Sequence, residues 1–197
     1  RPYIAEEVKC RIASNIETLN QMRRLQYLAE RDHLSGMYNR RAFFERAQTM
    51  LAQVSRKGAA ASLAIIDIDG FRKITDTYGH DEGDHVVQTV AKVIHNVLAR
   101  YKTLSARFGG EEFVVLLAEM SNEEAVAVAE DLRLAIAQAV ILHNQTKLQV
   151  TVSIGVAVAQ PGETLANNLN AADQMLYMAK EKGHDRVCAD AEFYRTA

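Results

Sequence analysis

Two adjacent glycines, Gly109 and Gly110, stand between two apolar runs and restrict this chain more than any other feature. Leu104–Phe108 reads as one strand and Phe113–Leu117 as the next. A Gly-Gly pair between such runs predicts a β-hairpin, because glycine accepts the positive φ angles of primed turns. The next two residues are acids, so Glu111 and Glu112 are expected exposed at the tip of a rigid hairpin. Taken alone, the stretch fits a solvated turn with two surface acids as well as it fits a functional site.

A second acidic site shifts that balance. Ser62–Ile66 is a short apolar run suited to a buried strand, and it ends in Asp67-Ile68-Asp69-Gly70-Phe71. Strand alternation puts Asp67 and Asp69 on one side and Ile68 on the other. Two carboxylates at a strand end are costly unless they are solvated, paired or bound to a cation. Such oxygen ligands suit Mg²⁺, which takes one or two carboxylates together with substrate phosphates. Tyr78–Asp84 reads as a polar, glycine-punctuated loop before a helix. The plain alternative is a helix N-terminus whose acids favour the macrodipole.

The rest of the chain reads as one long helix followed by an α/β domain with a mixed, largely antiparallel sheet, divided at 1–31 and 32–197. Residues 4–29 lack Gly and Pro. Ala5, Val8, Ile12, Asn15, Leu19, Met22, Gln26 and Ala29 fall at alternating three- and four-residue steps, a heptad seam. A parallel two-stranded coiled coil is expected; an amphipathic helix packed on its own domain is the alternative. Further helices are expected at 42–54, 84–100, 122–142 and 165–181, and strands at 62–68, 148–158 and, on an edge, 186–189. The face formed by Ala125, Val128, Ala129, Leu132, Ile136 and Ala139 reads as core.

Composition bounds the function classes. With 23 basic and 25 acidic residues among 197, the chain carries no basic stripe for nucleic acid. No apolar run reaches the length of a membrane span, and no signal peptide is evident. Cys10 and Cys188 show no metal spacing, and a cytoplasmic location with reduced thiols is expected. The chain begins at Arg1 rather than Met, as a piece of a longer protein would, and an upstream sensor domain or partner protein is expected.

The motifs together resemble the GGDEF family of diguanylate cyclases. Gly109–Phe113 reads GGEEF, a variant of the naming motif. Asp32–Arg41 resembles the family's opening D-x-L-T-G-L-x-N-R-R. Asp67–Asp84 resembles its D-I-D-x-F-K-x-x-N-D-x-x-G-H-x-x-G-D block. Val152–Val156 resembles its S-I-G-V strand, and Ala172–Lys180 its A-D-x-A-L-Y-x-A-K helix. These blocks lie in family order from about Asp32 to Cys188.

The resemblance implies the fold of nucleotidyl-cyclase and polymerase palm domains, with a central five-stranded sheet flanked by helices. It also implies a homodimer that condenses two GTP molecules into cyclic di-GMP and two pyrophosphates with Mg²⁺, or Mn²⁺ in its place. By this resemblance Asp67 and Glu111 supply metal carboxylates and Ile68 a metal-binding carbonyl, while Glu112 binds metal or helps deprotonate the 3′-hydroxyl. Gly70, Phe71, Arg72, Lys180 and His184 meet phosphates, and Thr75 and Asp84 meet guanine. Asp69 has a plainer role as a structural acid capping the following turn.

Three positions depart from the pattern. Thr75 stands where the family has a guanine-binding Asn, and His184 where it often has a phosphate-binding Arg. In the inhibitory motif R-x-x-D, Arg100 is kept but Thr103 replaces the acid. These departures keep open a second expectation, a catalytically weak domain that binds GTP and regulates a partner.

Overall fold

A computed structural model describes residues 2–143 and 146–190. Its helices are α1 (Pro2–Glu30), α2 (Arg40–Arg56), α3 (Phe71–Tyr78), α4 (His80–Leu98), α5 (Asn122–Gln138) and α6 (Leu165–Glu181). Its strands are β1 (Tyr38–Asn39), β2 (Ala61–Ile68), β3 (Thr103–Gly109), β4 (Glu112–Ala118), β5 (Ile141–His143), β6 (Thr146–Leu148), β7 (Val152–Val158) and β8 (Val187–Ala189).

The main sheet runs β1-β3-β4-β2-β7-β8. β2 pairs antiparallel with β4 and β7, and β3 with β4, while β1 joins β3 and β8 joins β7 in parallel. β2 holds the centre because it is apolar on both faces. Ile66 and Ile68 pack toward Val90 and Ile94 of α4 and Leu132 of α5. Leu63 and Ile65 pack toward Phe43 of α2 and Leu169 and Leu176 of α6. Each such side chain contributes roughly 1.5–3 kcal/mol on burial. Asp67, near the end of β2, is its one residue that is not fully buried.

The sheet has six strands rather than the expected five. The added strand, β1, is two residues long, too short for an alternation pattern to show. Three boundaries also differ. α5 stops at Gln138 because Ala139 turns extended, and the apolar residues read as helix, Ile141 and Leu142, instead form β5. The expected strand at 148–158 is divided: Leu148 closes the β5–β6 hairpin and β7 starts at Val152. The expected loop at 78–84 is a junction of two helices. Gly79, at φ 91°, separates α3 from α4, and Asp81 and Glu82 occupy the first turn of α4, where the macrodipole favours them. α6 and the edge position of β8 agree with the expectation, and Ala125, Val128, Ala129, Leu132 and Ile136 are core.

α1 is continuous, and Ile12, Leu19 and Met22 of its seam are 53%, 54% and 60% exposed. This face is not packed on the helix's own domain. Ala5, Val8 and Cys10 lie outside the residues whose side chains are described, and Cys188 is buried in β8. Among the described residues no helix is long and apolar enough to cross a membrane.

α6 lies directly on β7 at Gly155. A Cβ added there would stand 2.1 Å from the Leu176 nitrogen and 2.2 Å from the Ala172 oxygen, both backbone atoms of α6. Backbone cannot yield as a flexible side chain can, so Gly155→Ala should destabilise the domain by about 3 kcal/mol, the upper part of the overpacking range. Urea unfolding of the variant beside the parent measures this, and an unchanged midpoint would contradict the close approach.

Candidate active site

The β3–β4 hairpin forms as the two glycines require. Gly109 sits at φ 147° and Gly110 at φ 50°, with a bulge between Arg107 and Gly109. Gly109 pairs with Glu112, which leaves Gly110 and Glu111 as the loop. Both acids are half-buried rather than fully exposed at the tip, because the turn folds over the end of β2. The Ile68 N–H donates to the Glu111 carbonyl at 3.3 Å, and Glu112 stands opposite Asp67 in the β2–β4 register.

Lys180, in the last turn of α6, meets this group: its Nζ is 2.9 Å from Asp67 Oδ1. Burial pushes the Asp67 carboxyl above its ordinary range, Glu111 and Asp69 push it further, and Lys180 opposes them without prevailing. Burial likewise raises Glu112, helped by the negative charges of Asp173 and Asp67. The end of β2 is therefore an acidic pocket with a deficit of positive charge.

The expected phosphate turn follows at once. Gly70, left-handed at φ 65°, is the N-cap of α3, with Phe71 half-buried and Arg72 exposed behind it. Asp69 does not cap this turn, as its plainer reading had it. It accepts from Thr151 Oγ at 2.7 Å, Ser153 Oγ at 2.6 Å and the Asp185 N–H at 3.1 Å. Asp69 thus ties β7 and the segment after α6 to the residue before Gly70. His184 and Asp185 are both left-handed, at φ 62° and 47°, and Arg133 of α5 holds Asp185 at 2.6 Å. His184 is thereby carried to the neighbourhood of Gly70.

Thr75 and Asp84 lie on facing helices. A Cβ on Gly83 would come within 2.6 Å of the Thr75 methyl, so the α3–α4 approach depends on that glycine. The Thr75 hydroxyl donates to the Arg72 carbonyl at 2.9 Å, and Asp84 is exposed beside Gly83. Arg100 and Thr103 are placed apart from the acids. Arg100 pairs with Asp131 of α5 at 3.5 Å, and Thr103 opens β3 at the end away from Gly109.

Four contributors escaped the sequence reading: Asp173, whose charge reaches Glu112; Arg133 and Asp185, which hold the His184 turn; and Arg107, whose guanidinium bonds the Gly110 carbonyl. Only Asp173 left a usable signal, since a seven-residue step along a helix places it on the face of Lys180.

Known proteins share this fold. Residues 29–186 match the family model described as diguanylate cyclase, GGDEF domain. The chain belongs to the GGDEF diguanylate cyclase domain family. It is 34% identical over 202 residues to the response regulator PleD of Caulobacter vibrioides, an alignment that covers 97% of this chain and 44% of PleD. The chain thus spans less than half the length of that relative. The solved coiled coil and GGDEF domain of DgcB from Caulobacter crescentus, in complex with c-di-GMP, superposes with TM-score 0.81 at 30% identity, covering 92% of this chain and 98% of that one. The solved active GGEEF domain of a diguanylate cyclase from Vibrio cholerae gives TM-score 0.71 at 32% identity, covering 77% and 96%.

The raised carboxyls have a consequence for stability. The folded state holds their protons better than the unfolded chain does. Their contribution is therefore present below the ordinary carboxylate range and lost as pH rises through the raised values. Glu112→Gln removes that loss without changing shape. It should raise the urea midpoint at pH 7 without divalent cations, modestly because solvent screens the half-buried group, and the gain should vanish at pH 4 or below. A variant no more stable than the parent at pH 7 would show that Glu112 carries no such strain.

Proposed function

We propose that this chain is the output module of a homodimeric diguanylate cyclase, which condenses two GTP molecules into cyclic di-GMP and releases two pyrophosphates in the cytoplasm. The observation that carries this reading is the convergence of Asp67, Glu111 and Glu112 at the end of β2 with Lys180 beside them.

The donor set fits a divalent cation. Asp67 and Glu111 would hold it by their carboxylates and Ile68 by its carbonyl. Among the described residues no three His, Cys, Asp or Glu side chains form a ready-made cage. Mg²⁺, or Mn²⁺ in its place, would share its coordination between these carboxylates and the substrate phosphates. When bound, the ion neutralises phosphate charge and activates the attacking hydroxyl.

The protein's own groups do the positioning. Gly70, Phe71 and Arg72 offer the N-terminal N–H groups of α3 to the β- and γ-phosphates. Lys180 is shared between Asp67 and incoming phosphate, and His184 adds a donor whose charge depends on pH. Glu112, whose burial makes it a stronger base than an ordinary carboxylate, takes the proton from the 3′-hydroxyl. Asp84 accepts from guanine N1–H and the exocyclic amine, a donor pair that adenine lacks.

Each subunit holds one GTP, so the 3′-hydroxyl of each must reach the α-phosphate of the other. Residues 1–31 act as the stalk that brings two domains of residues 32–197 face to face through the exposed seam of α1. An upstream sensor or a partner protein sets that geometry. Arg100, engaged by Asp131 and lacking an acid at Thr103, leaves product inhibition weak at this position.

A second reading is a GTP-binding regulatory module. The commitment of the Thr75 hydroxyl to the Arg72 carbonyl favours it, because one guanine contact is then missing. Incubation with GTP and Mg²⁺, followed by chromatography of the nucleotides, separates the two readings. Cyclic product supports the cyclase, and bound but unconverted GTP supports the module.

Two substitutions sharpen the assignment. Glu111→Gln should lower turnover by about 10²–10³-fold, the effect of losing one preorganised electrostatic group, with the fold intact by circular dichroism. Near-parental turnover at saturating Mg²⁺ would remove Glu111 from the metal site. Thr75→Asn should tighten GTP binding by about 0.5–1.5 kcal/mol, one net hydrogen bond, in calorimetry with Ca²⁺ blocking turnover. Unchanged affinity would assign base recognition to other residues.

A further inference from the structure

The end of α1 and the catalytic turn are joined by one side chain. Arg107 is 11% exposed, and each of its three side-chain nitrogens donates a hydrogen bond. Nε and Nη2 both donate to the Gly110 carbonyl, at 3.0 and 2.7 Å. Nη1 donates to Asp32 Oδ1 at 3.0 Å. Asp32 lies two residues beyond Glu30, the last residue of α1. The same Oδ1 accepts from the Ser35 N–H and Oγ–H at 2.9 and 2.7 Å, and the Asp32 N–H donates to the Met37 carbonyl at 2.8 Å.

The preceding residues are tied as firmly. The Ala29 carbonyl accepts from Asn39 Nδ2 at 2.8 Å and Arg41 Nη2 at 3.3 Å. Glu30 pairs with Arg46 at 2.6 Å, and the Arg31 guanidinium lies 3.8 Å from the centre of the Tyr38 ring. Any rotation of the last turn of α1 must therefore reach Asp32.

The other end of the bridge bears on Glu111. The Gly110 carbonyl belongs to the peptide that joins Gly110 to Glu111, and its plane sets the direction in which the Glu111 side chain leaves the backbone. Two glycines precede that peptide, and without side chains they do little to select one plane. A guanidinium that gives two hydrogen bonds to one carbonyl does select it. The buried guanidinium in turn needs a compensating anion, because breaking such a pair leaves a charge stranded. Asp32 is that anion: burial raises its carboxyl, but bonds from Ser35 and Arg107 outweigh burial and hold it below the ordinary range.

We infer that Arg107 is a positioning residue for Glu111, and that Asp32 makes its grip depend on how the end of α1 is seated. This rests on the cyclase reading given above for the role of Glu111. It assigns a route, two residues long at the stalk end, by which a change in the stalk alters the catalytic turn. A purely structural ion pair would affect stability alone.

The test uses the full chain with Arg107→Lys, which keeps the charge but offers a single point donor, and Asp32→Asn, which keeps an acceptor for Ser35. Three quantities are measured: kcat and KM for cyclic di-GMP formation, Mn²⁺ affinity by electron paramagnetic resonance with 3′-deoxy-GTP, which cannot cyclise, and the urea midpoint. Arg107→Lys should lower kcat by about tenfold or more, as small misplacements of reacting groups do, with KM little changed and Mn²⁺ binding weakened. Asp32→Asn should change the same quantities less. Parental kcat and Mn²⁺ affinity in Arg107→Lys, or a loss confined to the urea midpoint, would overturn the inference. If Arg107→Lys does not fold, Asp32→Asn is judged by the same outcomes. If the parent binds Mn²⁺ and nucleotide but forms no product, the cyclase reading fails, and Mn²⁺ affinity still decides the positioning role.

Discussion

Asp67 faces Glu112 directly across two paired strands, and the rest of the site is arranged around that contact. Like charges opposite one another in an antiparallel pair repel, and here burial strengthens the penalty. The adjoining backbone turn brings Glu111 into the same space. Lys180 pairs with Asp67, and Arg40 and Lys180 draw on Glu112 through their charge, yet neither carboxyl returns to its ordinary range. A scaffold must be rigid to hold three acids in this way, and the cation of the proposed reaction would release the energy stored there.

The rigidity comes from the middle of the sheet. β2 is buried on both faces between the α4–α5 layer and the α2–α6 layer, so its end cannot shift without disturbing both. Gly155 lets α6 lie against β7 at backbone contact. That approach sets the height of Lys180 over Asp67, on the adjacent strand. Asp69 fixes the other side of the pocket through Thr151, Ser153 and Asp185, and Arg133 holds the left-handed turn that carries His184. Non-glycine residues persist in that conformation only when their surroundings over-determine it.

Much of this was legible in the sequence because it depends on local rules. The hairpin follows from Gly109 and Gly110, the common side of Asp67 and Asp69 from strand alternation, and α6 from its helical pattern over 165–181. The errors arose where local rules compete. Ile141 and Leu142 continue the apolar spacing of α5 yet are equally good strand residues, and pairing with β6 decided the outcome. Gly79 reads as a loop residue but separates two helices. β1 was too short to see. In the site, side chains that act over long sequence distances left no local trace: Arg107 meets Asp32 and Arg133 meets Asp185 only because the fold brings them together. Thr75 was recognised as a departure, but the diversion of its hydroxyl to the Arg72 carbonyl required coordinates.

The stalk gives these details their functional weight. A single domain presents one set of acids and one candidate phosphate turn, whereas the proposed reaction between two nucleotides would need two such sets in opposition. α1 leaves Ile12, Leu19 and Met22 in solvent, an arrangement that a second copy would bury. A paired stalk would impose its rotation on both domains through Ala29, Glu30 and Asp32, which are bonded to the domain by separate partners. Torsion in the stalk would then act at two levels. It would change how the half-sites face each other, and, through Arg107, it would change the peptide that aims Glu111. Both effects start from the same few residues, so proximity of the nucleotides and order in the metal site would rise and fall together.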